Sequence, residues 1–157
     1  MKILVFSDTH GMTASAVEAV RNHPDADEII HLGDNIRDAY EIQKLTGIAV
    51  TCVKGNCDFS SDPEKLVITR EGCRIFLTHG HKYSVGYSLL RLCLAAEEAG
   101  AHAAFFGHTH VPVLEYENGI LLLNPGSISN PRGSSKRCYA VLDVKNGFIR
   151  PNIETVI

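Results

Sequence analysis

Short apolar runs alternate with polar, helix-period stretches along the first third of the chain. Residues 3–6 (Ile-Leu-Val-Phe) predict a buried strand and residues 13–22 a helix. A second strand is expected over 28–32, and a helix over 36–46 with Asn35 as its N-cap and Asp38 in its first turn. The run 48–53 predicts a third strand. Strand–helix alternation of this kind implies parallel strands in an α/β core. The second half reads differently. Residues 66–69 and 74–78 flank Glu71-Gly72 as a hairpin, and Asn118-Gly119 and Asn146-Gly147 mark two more. Between them lie a helix expected over 85–99, stopped at Gly100, and a strand over 103–106. Many strands with helices at either flank predict two packed mixed sheets covered by helices, an αββα four-layer sandwich.

Composition changes this picture little. With 157 residues, 45% hydrophobic and 21% charged, the chain suits one globular domain spanning 1–157. No repeat or Pro/Gly linker divides it. The net charge of −3 leaves no basic stripe for nonspecific nucleic-acid binding. No apolar stretch approaches the roughly 20 residues of a membrane span, and the N-terminal run is too short for a signal peptide. Five scattered cysteines without a CxxC pair argue against a disulfide framework and for a reducing cytoplasm.

Candidate chemistry enters at the strand ends. The five runs finish in Asp8-Thr9-His10, Gly33-Asp34-Asn35, Gly55-Asn56-Cys57-Asp58, His79-Gly80-His81 and Gly107-His108-Thr109-His110. Ligands of open α/β sheets bind at the carboxyl ends of strands, where separated loops converge. In extended chain, residues i and i+2 share a side roughly 6.6 Å apart. Asp8/His10 and His108/His110 are therefore expected to project pairwise into one cavity. Taken singly, Gly33-Asp34-Asn35 and Gly55-Asn56 are ordinary turns, and a lone Asp-x-His is common. Together the Asp, Asn and His residues form a mixed nitrogen–oxygen donor set without thiolate, suited to Mn, Fe, Zn or Ni rather than Mg or Ca. Two ions about 3.5–4 Å apart would fit such a set.

The ordered motifs Asp-x-His, Gly-Asp, Gly-Asn, His-Gly and Gly-His-x-His resemble the calcineurin-like metallophosphoesterase superfamily. The short chain, Gly-Asn-Cys-Asp and Asn124-Pro125-Gly126-Ser127 are similar to its small YfcE-type phosphodiesterase branch. The resemblance spans residues 8–127. It implies two divalent ions, Mn2+ first and Fe, Ni or Zn as alternatives. Asp8, His10, Asp34 and His110 would hold one; Asp34, Asn56, His79 and His108 the other, with Asp34 bridging. A hydroxide shared by both ions would attack phosphorus in line with the leaving oxygen. The implied activity is hydrolysis of a small phosphodiester or phosphomonoester, with a homo-oligomer among the expected states. A second class is a non-catalytic scaffold on the same fold, as in a subunit of the retromer sorting coat that resembles this branch. The complete set of seven metal-capable residues favours the enzyme.

Around these ligands, Cys57 stands where many superfamily members carry histidine, and is expected in the substrate pocket. His81 is a further pocket candidate, touching a phosphate oxygen or a ligand. His31 is expected beneath the site, His23 and His102 on the surface, and Asn124–Ser127 in a turn at the rim. Asp58 is expected to cap the following turn or to orient a ligand. The remaining cysteines read as small hydrophobes.

Overall fold

The computed structural model describes residues 1–157. The first sheet is built from β1 (Lys2–Phe6), β2 (Glu28–His31), β3 (Val50–Cys52), β9 (Cys138–Lys145) and β10 (Phe148–Thr155). The second comprises β4 (Lys65–Arg70), β5 (Cys73–Thr78), β6 (Ala103–Phe105), β7 (Val113–Glu117) and β8 (Ile120–Asn124). Their orders are β10-β9-β1-β2-β3 and β4-β5-β6-β8-β7. The β1–β2 and β2–β3 pairs are parallel, as are β5–β6 and β6–β8, while the hairpin pairs are antiparallel. Helices α1 (Thr13–Asn22) and α2 (Ile36–Thr46) belong to the first half, and α3 (Leu90–Glu98) to the second.

Strand β1 shows why the sequence stacks this way. Its apolar residues are buried on both faces, as expected of a central parallel strand. Ile3 and Val5 join the cluster shared by both sheets, with Ile30, Ile75, Leu77 and Phe105. Leu4 and Phe6 point the other way, into the cluster that includes Ala16, Ala19 and Val20 of α1 and Ile42 of α2. A third cluster joins Leu92, Cys93 and Ala96 of α3 to Phe76, Ala104 and Leu122 of the second sheet. Three apolar layers thus separate four layers of secondary structure, the αββα sandwich expected. All three hairpins place both turn residues at positive φ, 47° and 82° at Glu71-Gly72, 49° and 77° at Asn118-Gly119, and 51° and 81° at Asn146-Gly147. That is the type I′ geometry the twist of paired strands requires.

The element boundaries differ from expectation in three places. The helix expected from residue 85 begins at Leu90, because Ser84 is left-handed with φ 53°, and a 3₁₀ turn occupies His81–Tyr83. The third strand shortens to Val50–Cys52. Asn35 does not cap α2: with φ 73° it lies in the left-handed region rather than the extended one an N-cap uses, and makes no capping bond. No helix is long and apolar enough to cross a membrane.

Candidate metal centre

The loops after β1, β2, β3, β5 and β6 meet at the carboxyl ends of the parallel strands. They carry Asp8 and His10, Asp34, Asn56, His79, and His108 and His110 respectively. Backbone bonds lash the loops together: Asp8 N–H donates to Gly33 O at 3.0 Å, and Gly107 N–H to His79 O at 2.9 Å. Packing between loops is close enough to need glycine. A Cβ on Gly55 would collide with Asp34 Oδ1, and one on Gly107 with Ser7 Oγ.

The expected ligands converge. Asp8, His10, Asp34 and His110 offer donor atoms all within 4.8 Å of one another. His79 Nε2 lies 3.4 Å from Asp34 Oδ1 and 3.8 Å from Asp8 Oδ1. His108 Nδ1 lies 3.1 Å from Asn56 Oδ1, and the His79 and His108 rings are 5.2 Å apart. Two imidazoles have their orientation dictated by carbonyls. His79 Nδ1 is 2.7 Å from Leu32 O and His110 Nδ1 is 2.5 Å from Asn130 O, so each Nδ1 carries the donated proton. Each Nε2 is then turned toward the carboxylates, the arrangement that fixes metal-binding histidines. Asp8 Oδ1 and His79 Nε2 are buried without a hydrogen-bond partner. Such orphaned atoms are costly in a folded interior, and a cation between them removes the cost.

The electrostatics agree. Burial pushes the Asp8 and Asp34 carboxyls up, but hydrogen bonds and charge from the facing histidines outweigh it and hold both below the usual carboxylate range. Burial pushes His79 down, yet Asp34 and Asp8 raise it overall, and the facing Asp8 carboxylate, 3.2 Å from His110 Nε2, raises His110. Paired carboxylates thus demand positive charge at this spot, which protons meet when metal is absent. His108 and His81 are lowered by burial and by neighbouring imidazoles.

A family model, the calcineurin-like phosphoesterase superfamily domain, matches residues 1–147. The chain belongs to this superfamily. It is 37% identical over 148 residues to the probable metallophosphoesterase YsnB of Bacillus subtilis, covering 93% of this chain and 86% of that protein. It is 31% identical over 169 residues to the phosphodiesterase YfcE of Escherichia coli, covering 91% and 88%. Among solved structures, a conserved protein of Streptococcus pneumoniae described as a predicted phosphoesterase superposes with a TM-score of 0.83 at 34% identity, over 98% of this chain and 88% of that one. Metallophosphoesterase membership implies use of divalent metal, and the donors collected here fit one.

The candidate ligands reach the centre by a different backbone route from the one expected. Asp8, His10, Asp34, His108 and His110 all have positive φ, between 44° and 71°, rather than extended geometry. The i/i+2 pairs converge because tight left-handed turns fold them inward, not because a strand presents them on one side. Cys57 is exposed beside Asn56, with its Sγ 3.6 Å from Asn56 Nδ2 and its N–H donating to Asp34 Oδ1 at 3.0 Å. His81 stands next to the His79 and His108 rings, 5.6 and 6.1 Å away, and its Nδ1 has no partner. His31 is buried as expected; Gly33 N–H donates to its Nδ1, leaving Nε2–H to donate to Thr9 Oγ1 at 3.0 Å. His102 is exposed, accepting from Arg74 N–H. His23 is not a free surface residue: it is half-buried against Tyr139 and Glu154.

Several supporting residues reach further than the sequence reading gave them. Asp38 does not serve its own helix; its carboxylate accepts from Gly11 N–H at 2.8 Å and so holds the loop carrying His10. Ser127 and Ser129 hydroxyls both donate to Asp8 O, and Asn124 Nδ2 donates to Gly107 O and Thr109 Oγ1. The Asn124–Ser127 turn therefore braces two ligand loops. Asp58 does most: its two oxygens accept from the N–H groups of Asp34, Asn35, Ile36 and Gly55 at 2.7–2.9 Å. The cap of α2 is supplied from the β3 loop, and the signal for it, an aspartate two residues past Asn56, was masked by an apparently self-capped helix.

Proposed function

We propose that the chain is a dinuclear metal-dependent phosphodiesterase. Asp8, His10, Asp34 and His110 hold one divalent ion and Asp34, Asn56, His79 and His108 the second, with Mn2+ the preferred metal. The observation carrying this reading is the pair of orphaned buried atoms, Asp8 Oδ1 and His79 Nε2, inside a complete nitrogen–oxygen donor set. When bound, two such ions supply a nucleophile from water at neutral pH and neutralise charge on the phosphoryl group. The chain contributes placement. Leu32 O and Asn130 O hold the His79 and His110 rings in one tautomer. Ser7 and His108 N–H fix Asp8 Oδ2 at 2.6 and 3.0 Å, leaving Oδ1 as its free donor. His81, kept neutral by burial and neighbouring imidazoles, faces the His79–His108 side, where it can meet a phosphate oxygen.

Cys57 tilts the reading toward diesters. Burial and the Asp34 carboxylate push its thiol up, so it stays an uncharged S–H and a poor general acid at neutral pH. A side chain smaller than imidazole also leaves room for a second ester group.

The test is metal-stripped protein reloaded with Mn or Ca and assayed against bis(4-nitrophenyl) phosphate and 4-nitrophenyl phosphate, with metal content measured in parallel. Mn should restore diester hydrolysis well above monoester hydrolysis, and Ca should do so poorly. Full activity in metal-free protein, or a monoester preference with both ions bound, overturns the proposal.

A further inference from the structure

Beside the metal centre, a cleft of about 290 Å³ opens between the start of α2 and residues 57–60. Its walls include Arg37, Tyr40, Cys57 and Phe59. Phe59 is fully exposed, 102% of its reference surface, although an aromatic ring is among the most favourable side chains to bury. Arg37 is also exposed, and the Lys and Arg ion pairs of the chain are made by Lys2, Arg70 and Lys82 instead. Phe59 and Arg37 each lie three residues from a candidate ligand, Asn56 and Asp34 respectively.

The cleft is preformed. Asp58 ties the loop to the start of α2 through three backbone N–H groups, those of Asp34, Asn35 and Ile36, and Tyr40 OH donates to Asp62 across the far side. Both Asp58 oxygens are engaged by backbone N–H groups, and Arg37 makes no ion pair, so its guanidinium is free to pair with an anion in the cleft. An exposed ring and a free guanidinium lining one cleft match a planar aromatic group joined to an anion.

The geometry points to a substrate subsite: the cleft receives the second ester arm of the phosphodiester, stacking an aromatic base on Phe59 and pairing a further phosphate of that arm with Arg37. This rests on the phosphodiesterase reading and narrows it to small nucleotidyl diesters bearing a terminal phosphate. Cys57 forms the passage between the metals and the cleft, where its small side chain leaves the arm room to pass.

Three substrates with a common 4-nitrophenolate leaving group separate the contributions: methyl 4-nitrophenyl phosphate, the 4-nitrophenyl ester of thymidine 5′-phosphate, and that ester with a 3′-phosphate. Metal-loaded protein should show KM falling along the series. Phe59→Ala should raise KM for the two thymidine esters about tenfold, in line with loss of one stacked base, and leave the methyl ester unchanged. Arg37→Ala should raise KM several-fold for the 3′-phosphorylated ester alone. Equal effects on all three substrates, or none, overturn the subsite. Hydrolysis of none of the three by protein with both metals bound refutes the phosphodiesterase reading itself, and binding then decides the subsite separately. The chain has no tryptophan, so Phe59→Trp creates a single reporter. Thymidine 3′,5′-bisphosphate should quench it and inorganic phosphate should not. A signal unmoved by the bisphosphate rules the subsite out whatever the catalytic result.

Discussion

Replacing Asp58 by alanine removes a carboxylate that is not a candidate metal ligand, yet holds two ligand loops and a helix start together. Its Oδ2 accepts from Asp34 N–H at 2.9 Å and Gly55 N–H at 2.7 Å, and its Oδ1 from Asn35 and Ile36 N–H, both at 2.8 Å. A hydrogen bond to a charged group contributes roughly 1.5–3 kcal/mol net. Adding four such values would overstate the loss, because Asp58 is only half-buried and water can reach some of the released N–H groups. Loss of a helix cap alone costs about 1 kcal/mol. We expect Asp58→Ala to destabilise the chain by about 3 kcal/mol, a large share of a typical domain stability of roughly 5–15 kcal/mol. The melting temperature should fall by roughly 10 °C. Asp58→Asn keeps one acceptor and turns an amide N–H₂ toward two donors, so it should lose at least half as much.

Urea unfolding of metal-stripped protein measures the stability, and metal content after reloading measures the coupling to the site. Occupancy should drop as well, since Asp34 and Asn56 lie on the two segments that Asp58 joins. Asp25→Asn serves as control: its Lys2 pair is exposed, and the change should alter stability far less than Asp58→Ala does. Asp58→Ala within 1 kcal/mol of the parent protein, with both metals retained, would show that these four bonds do not hold the site.

Three further outcomes follow from the same geometry. Alanine at His108 or at His110 should lower metal occupancy together with turnover; two metals per chain in both variants would contradict the assigned ligand set. Cys57→His should raise monoester hydrolysis relative to diester, and Cys57→Ser should keep most diesterase activity, so loss of diester hydrolysis in the serine variant with metals bound would make the thiol chemically required. His31 is fully buried, and burial lowers its pKa from 6.5 to about 4, so the folded state stays neutral while the unfolded state takes up a proton below about pH 6.5. Stability therefore falls as pH drops through that window, by about 2 kcal/mol between pH 7 and 5 from this group; urea unfolding of metal-free His31→Gln should show a correspondingly smaller pH dependence, and an unchanged one would refute the assignment.

Much of this was legible in the chain because each signal was local. The candidate ligands stood out since each follows an apolar run, and the three turn dipeptides could be read off since residues tolerant of positive φ fit type I′ geometry. Contacts distant in sequence were not legible. Nothing near Asp58 announces that it caps a helix 22 residues earlier, and nothing near Ser127 announces that it bonds Asp8 O across 119 residues. The early start assigned to α3 was a local error of another kind: helix-compatible apolar residues at 85 and 89 outweighed Ser84, Gly86 and Ser88, which favour turns.

Those distant contacts also explain how the site keeps its shape. Left-handed backbone at a non-glycine residue is disfavoured by of order 1–3 kcal/mol and persists only where the surroundings enforce it. Asp8, His10, Asp34, His108 and His110 all adopt it. Each is held from outside the ligand set. Ser127 and Ser129 grip the Asp8 carbonyl, Asp38 grips Gly11 beside His10, and Asp58 grips Asp34 N–H. Asn124 grips Gly107 and Thr109, which flank His108. Without metal, the inward-turned carboxylates keep the protons of His79 and His110 and the donors of Ser7, His108 and Cys57 opposite them, but no ion draws the candidate ligands together. The bracing shell must carry that strain before metal arrives. Metal affinity should therefore depend on the bracing residues as well as on the ligands, and a site preorganised in this way can bind ions without refolding its loops.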